Sequence, residues 1–300
     1  MVDFIHNNKD LYGVDAICRI LPIAASTYYR TLDLADNPEH RAKRDLHDEH
    51  HAEQIKRIWK ESSGRYGVRK AWQQLKREGY VIARCTVARL MQKLGIQGVW
   101  RGKNKQTTRS RDDQKRADDL VKRNFNADHP DQLWVADFTY IQTHSGWVYT
   151  AFIIDVFSRA IVGWKVSTRM NTDMVLDALE QALHDRGMPK NVIHHSDRGV
   201  QYLSIRYTNR LEAANLRASV GTTGDSYDNA LAETVNGLYK TEVIEYLKAD
   251  WQGLADVQLA TLNWVDWFNK KRVHSALGYV SPFEFEAMYY DKINPLGQVA

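Results

Sequence analysis

Cysteine is nearly absent from this chain: Cys18 and Cys85 are the only two in 300 residues. They stand far apart and without metal-ligand spacing. That argues against a disulfide framework or a cysteine zinc site and suits idle thiols in a reducing cytoplasm. Long apolar runs are missing too. None approaches the roughly 18–20 residues of a membrane span, so no membrane partner is expected. The opening "MVDFIHNNKD" is polar and carries acids, unlike a secretion signal. A cytoplasmic chain is the resulting expectation.

Acids are scarce in one window. Between Lys56 and Arg111 there are 16 basic residues and only two acids, Glu61 and Glu78. Residues 1–130 hold 26 Lys/Arg against 17 Asp/Glu, whereas residues 131–300 hold 15 against 20. The modest overall charge of +4 therefore hides a basic first half and an acidic second half. A basic stripe of this kind meets phosphate backbones, which points to nucleic acid.

The pattern divides the chain into residues 1–54, a helical segment and linker; 55–100, a helix-turn-helix-like module; 101–130, a basic linker; 131–250, a core; and 251–300, a C-terminal helix and tail. In the first, "VDAICRIL" and "STYYR" flank a break, the second run with a Ser/Thr cap. In "HDEHH", His47 and His51 lie one turn apart without the Glu of the zinc-protease helix motif, so a solvated face is expected. In the second segment, Val68, Trp72 and Leu75 share one helix face, and Val87, Leu90, Met91 and Leu94 another. Arg65, Arg69, Lys70, Arg84 and Arg89 decorate the polar faces, and Lys103 and Lys105 follow in the linker. All seven are candidate DNA contacts.

From residue 131 the period changes. "LWVADFTYIQT", "WVYTAFIIDVF" and "AIVGWKVST" read as an antiparallel meander. Helix, strand, helix, strand and helix follow, with a Thr cap on "TDMVLDALEQALHDR". Together they predict an α/β fold with a mixed sheet flanked by helices, preceded by all-α helix-turn-helix segments.

Asp137 sits in the middle of the first strand, where a lone buried carboxylate costs several kcal/mol (order of magnitude) unless something pairs with it. Asp197 ends the short strand "NVIHHSD", and strand ends are where open α/β sheets gather their sites. Glu233 lies on the helix "DNALAETVNGLYK", with Asn229 four residues before it and Lys240 seven after it, a polar stripe on one face. Three converging carboxylates repel one another, and hard divalent cations relieve that repulsion. Mg²⁺ or Mn²⁺, as two ions, is the expected cofactor, acting at phosphorus. Asp155 reads as a satisfied core acid paired to Arg159, Asp228 as a helix cap, and His194 and His195 as packing or DNA-facing groups. Trp164, Tyr202 and Tyr227 are either core aromatics or base-stacking ones.

At these residues the chain resembles a known family. "WVADFTYI", "IIDVFSRAIVGW", "HHSDRGVQY" and "GDSYDNALAETVNGLYKTE" are similar to the integrase-type core of bacterial insertion-sequence transposases, in particular the second reading-frame product of the IS-three family. "GRYGVRKAWQQLKREGYVIARCTVARLMQKLGI" and "WFNKKRVHSALGYVSPFEFE" extend the resemblance over nearly the whole chain. It implies a ribonuclease-H-like fold, an Asp-Asp-Glu metal site at Asp137, Asp197 and Glu233, and DNA contact by Lys240. Ala136 departs from the Thr that relatives often carry. The resemblance further implies an enzyme that cleaves and transfers DNA strands at the ends of an insertion sequence. Its expected partners are terminal inverted repeats and target DNA. A homo-oligomer on that DNA is implied, as is fusion with, or partnership from, an upstream reading frame. Two rivals stay open: a nuclease of the same fold that only hydrolyses, and a non-enzymatic DNA-binding regulator.

Overall fold

Leu133, Val135 and Ile141 point to one side of their strand and Trp134 and Ala136 to the other, and both sides are buried. A strand covered on both faces belongs at the centre of a sheet. The computed structural model describes residues 1–100, 120–121, 125–197, 199–221, 230–247 and 250–294. In it β1 (Leu133–Thr143) is the middle of five strands. β2 (Gly146–Asp155) and β3 (Ile161–Ser167) complete the antiparallel meander on one side. On the other side β4 (Ile193–Ser196) runs parallel to β1, and β5 (Arg217–Val220) runs parallel to β4. This is the expected mixed sheet, in the order β3-β2-β1-β4-β5.

Helices cover both faces. α7 (Thr172–Asp185) and α8 (Ile205–Ala213) pack on the side of Trp134. Gly163 lets α7 approach, because a Cβ there would lie 2.2 Å from the Ala178 carbonyl oxygen. The cap of α7 is Asn171, whose side chain accepts from the Met174 N–H at 3.2 Å, and not the expected Thr. Asn reaches the free amides from outside the first turn as readily as Thr does.

The opposite face receives α9 (Ala230–Tyr239), a π-helical turn over Lys240–Glu245, and α10 (Leu254–Lys270). The basic module joins this same core: α4 (Lys43–Glu61), α5 (Val68–Arg77) and α6 (Arg84–Lys93) contribute Ile55, Ile58, Leu75, Val87, Leu90 and Met91. Position 54, taken above as a division, lies inside the continuous helix α4. Trp251, Trp264 and Phe268, placed above in the C-terminal helix and tail, are buried in the core with the sheet. A capping box of Ser281 and Glu284 starts the last helix, α11 (Pro282–Ile293).

α1 (Val2–Tyr12), α2 (Val14–Ile20) and α3 (Ala25–Asp36) bury Ile5, Ile17 and Tyr28 in a separate small cluster. Ala24 precedes α3 without a side-chain cap, so the anticipated Ser/Thr cap is not made.

Candidate active site

β4 ends at Ser196, which pairs with Ala136. The next residue on each strand is an aspartate. Chain direction and register alone thus bring Asp197 beside Asp137, at the carboxyl end of β4. Asp137 is held at both oxygens. The Phe138 N–H donates to Oδ1 at 2.8 Å, and Asn236 Nδ2 donates to Oδ2 at 2.9 Å. Asp197 Oδ1 accepts from the Gly199 N–H at 2.9 Å.

These hydrogen bonds do not offset the burial. Burial first, then the like charge of Asp197 and more weakly that of Glu233, push the Asp137 carboxyl up to about 7. Burial also raises Asp197. Glu233, in the first turn of α9, is exposed and acts on Asp137 through its charge. Asn236 lies one turn further along, on the same helix face. Two buried polar atoms near these acids, Asn236 Oδ1 and Tyr202 Oη, have no hydrogen-bond partner. The Tyr202 hydroxyl is pushed up by burial, with Tyr207, Asp137 and Asp197 adding to the rise.

The site therefore combines three carboxylates, an amide oxygen and an excess of negative charge. That donor set suits a hard, oxygen-seeking divalent cation. As the side chains stand, no three His, Cys, Asp or Glu among the described residues are grouped to hold a metal. The acids lie within electrostatic range of Asp137 rather than closed on a common point.

Comparison with known proteins shows the family. Residues 127–226 and again 214–282 match the family described as integrase core domain, and residues 46–104 match an HTH-like domain. The transposase for insertion sequence element IS629 of Shigella sonnei is 52% identical over 98% of this chain and 98% of its own length. The chain belongs to the insertion-sequence transposase family. A putative transposase for IS986/IS6110 of Mycobacterium tuberculosis (strain ATCC 25177 / H37Ra) is 49% identical over 90% of this chain and 97% of its own. Transposase InsF for insertion sequence IS3A of Escherichia coli (strain K12) is 31% identical over 94% and 97%.

In the transposase, Lys240 follows α9 and its Nζ sits 4.6 Å from the centre of the Tyr140 ring. Of the basic residues picked as DNA contacts, Arg84 is exposed at the start of α6. Arg69 is exposed over the Tyr279 ring at 5.6 Å. Arg89 spans both oxygens of Asp48 at 2.8 Å. Arg65 and Lys70 turn inward instead. Arg65 Nε donates to the Glu242 carbonyl at 3.0 Å, and its guanidinium lies 4.8 Å over Trp267. Lys70 is pushed down to about 7 by burial and by the nearby Arg272. The physical reason is that α5 packs against the chain around residues 271–279, so only part of its basic face meets water. Asn229, Lys103, Lys105, Tyr227 and Asp228 lie outside the described residues.

Other expectations resolve simply. His194 and His195 are buried, with His194 Nε2 at 3.0 Å from the Tyr207 hydroxyl and His195 Nδ1 at 2.9 Å from Ser219 Oγ. Both are packing groups. The Asp155 carboxylate is satisfied by the Asp131 N–H and by the Ser158 N–H and hydroxyl, while the Arg159 N–H donates to the Asp155 backbone carbonyl at 2.9 Å. Tyr202 is buried in the core on the α7 side, and Trp164 packs in part against the other core cluster. Sequence reading missed Asn236, although its place one turn after Glu233 was visible in the spacing. No described helix is long and apolar enough to cross a membrane.

Proposed function

We propose that this transposase cuts DNA at the ends of an insertion sequence and joins those ends to a target, with Asp137, Asp197 and Glu233 as its metal-holding acids. The observation that carries the reading is the half-buried Asp137, whose ionisation is opposed by its surroundings and by Asp197 and Glu233. A protein keeps such an arrangement when a cation completes it. Mg²⁺ or Mn²⁺, as two ions, would be held by the three carboxylates and would supply charge neutralisation and polarisation of the phosphate oxygens.

The chain's own residues do the positioning. Asn236 and the Phe138 amide fix the orientation of the Asp137 carboxylate, and the Gly199 amide that of Asp197. Lys240, beyond the end of α9, faces a phosphate near the one that reacts. Exposed Arg69, Arg84 and Arg89 hold the DNA mainly through its backbone, joined by Lys103, Lys105 and Asn229. Water first displaces the 3′ oxygen at the element end from phosphorus. The freed 3′-hydroxyl then attacks a target phosphodiester in line, losing its proton as the target's own 3′ oxygen leaves. One phosphodiester replaces another, so ATP is not needed.

Both element ends must be handled together, so a homo-oligomer assembles on DNA, in the bacterial cytoplasm and with or fused to an upstream-frame product. Residues 55–100 serve as the DNA-holding module and residues 131–250 as the catalytic core.

The test is a strand-transfer assay with a pre-cut 3′-hydroxyl end, target DNA and Mg²⁺. Joined product appears with the native chain and is lost in Asp137→Asn, Asp197→Asn and Glu233→Gln, with DNA binding retained. Hydrolysis without joining would assign a nuclease instead. Near-normal joining in any of the three would remove that acid from the site.

A further inference from the structure

Aromatic residues in the centre of the sheet are hidden: Trp134 and Phe152 are 0% exposed. Tyr140 and Trp147 break that pattern at 46% and 49% exposed. Tyr140 lies opposite Tyr149 in the β1–β2 ladder, so Trp147 is its diagonal neighbour. Diagonal neighbours are within reach of aromatic side chains, and these two rings meet edge to face at 5.3 Å. Lys240 Nζ lies 4.6 Å over the Tyr140 ring. β4 stops beside Ala136, so no described strand pairs with that edge of β1 beyond Asp137.

Asp137 and Tyr140 are three residues apart on one strand, about 10 Å at the usual rise. Odd and even residues of β1 face opposite sides of the sheet, so Tyr140 leaves it on the face away from Asp137, and Lys240, seven residues after Glu233, joins this exposed aromatic pair to the segment that carries the acids. We propose that Trp147 and Tyr140, together with Lys240, form a stacking surface for an unpaired nucleobase at the DNA end. The proposal rests on the DNA-joining reading above.

Stacking on an aromatic face combined with backbone attraction is how proteins hold single strands. The ammonium group suits a phosphate attached to the stacked base, and it is carried just beyond the helix that carries Glu233. Tyr140 thereby acts as a positioning residue for Lys240. Two rings and one cation are far smaller than the roughly 1,000 Å² that a specific protein interface needs, which favours a base over a second copy of this chain.

The experiment uses the full chain in EDTA, where binding is read without cutting. The probe is a duplex bearing the element's terminal sequence and an unpaired 3′ end, with 2-aminopurine or an abasic site at one unpaired position. The native chain should quench 2-aminopurine on binding, Trp147→Ala should not, and Trp147→Phe should restore most of the quench. The abasic site should weaken native binding about tenfold and leave Trp147→Ala binding unchanged, because the stacked partner is already gone. Absence of quenching with the native chain overturns the proposal, as do abasic and Trp147→Ala losses that multiply. A change in self-association of Trp147→Ala at equal DNA affinity also overturns it, in favour of a second copy. A chain that stacks the base but joins no ends sinks the joining chemistry and leaves the stacking surface standing.

Discussion

Asn236 donates a 2.9 Å hydrogen bond to Asp137 Oδ2, tying the helix that carries Glu233 to the strand that carries the first aspartate. The bond fixes one carboxylate oxygen, while the amide's own oxygen stays buried and unpartnered. Asn236→Ala removes this orientation but leaves the three acids. Loss of a group that orients a metal ligand typically costs about 10- to 100-fold in metal affinity or activity. A fall of that size in strand transfer is expected, with DNA binding unchanged and the requirement for Mg²⁺ moved to higher concentration. A titration of joining against Mg²⁺ checks it, and an unshifted curve contradicts the orienting role.

Asp137→Asn should have opposite effects on stability and on metal response. The carboxyl is raised to about 7 by burial, Asp197 and Glu233. Its contribution to stability is therefore full at pH below the ordinary carboxylate range and is lost as pH rises through about 7. At pH 8 without metal the native chain carries the unfavourable charge. The Asn variant does not, so its Tm should be higher by a few degrees, a gap that narrows at pH 5 and closes only below the ordinary carboxylate range. Mg²⁺ should raise the native Tm by mass action and leave that of the variant nearly unmoved. Thermal melts at the two pH values, with EDTA or with Mg²⁺, measure all of this. A variant less stable than the native chain at pH 8 in EDTA would refute the account.

Much of the site was legible because it depends on short-range patterns. The period-two alternation around Asp137 marks β1, and the strand "NVIHHSD" marks β4. The parallel pairing that sets Asp197 beside Asp137 then follows from fold class. What stayed hidden depends on packing between distant segments. A count of basic residues on α5 cannot tell that Tyr66 accepts the Val273 amide at 2.8 Å. Arg65 and Lys70, which flank that tyrosine, turn inward against the protein. Likewise nothing local in the sequence marks Glu242 as buried against Arg272, which lies 30 residues on.

The Glu242–Arg272 pair should matter more than any exposed ion pair in the molecule. Arg272 Nη2 donates to Glu242 Oε1 at 2.6 Å, and Trp264 Nε1 donates to Oε2 at 3.1 Å. Both charged side chains are over nine-tenths buried. Glu242 belongs to the π-helical turn directly after α9, where extra-residue turns often serve function. Removing one member of a buried pair strands the other, at a cost of about 3–5 kcal/mol. Arg272→Ala should lose on that order in denaturant unfolding. Arg77→Ala, whose partner Glu284 is exposed, should lose about 1 kcal/mol or less from the ion pair. Equal losses would place the anchoring of α9 elsewhere.

Lys70 gives a pH dependence of the opposite sign to that of Asp137. Its ammonium is pushed down to about 7, by burial first and then by Arg272, with Glu242 acting the other way. It also lies 5.4 Å over the Tyr66 ring. Because the unfolded chain binds this proton up to a higher pH than the folded one, stability from this group increases as pH rises above about 7. Replacement by Met keeps the length of the side chain and removes the charge. Lys70→Met should therefore be more stable than the native chain at pH 6 and lose that advantage progressively between pH 7 and pH 10. Unfolding curves for the two proteins across that range give the difference directly. A constant difference, or one that widens with pH, would show that Lys70 keeps its charge in the folded chain and that the junction of α5 with the core is open to water.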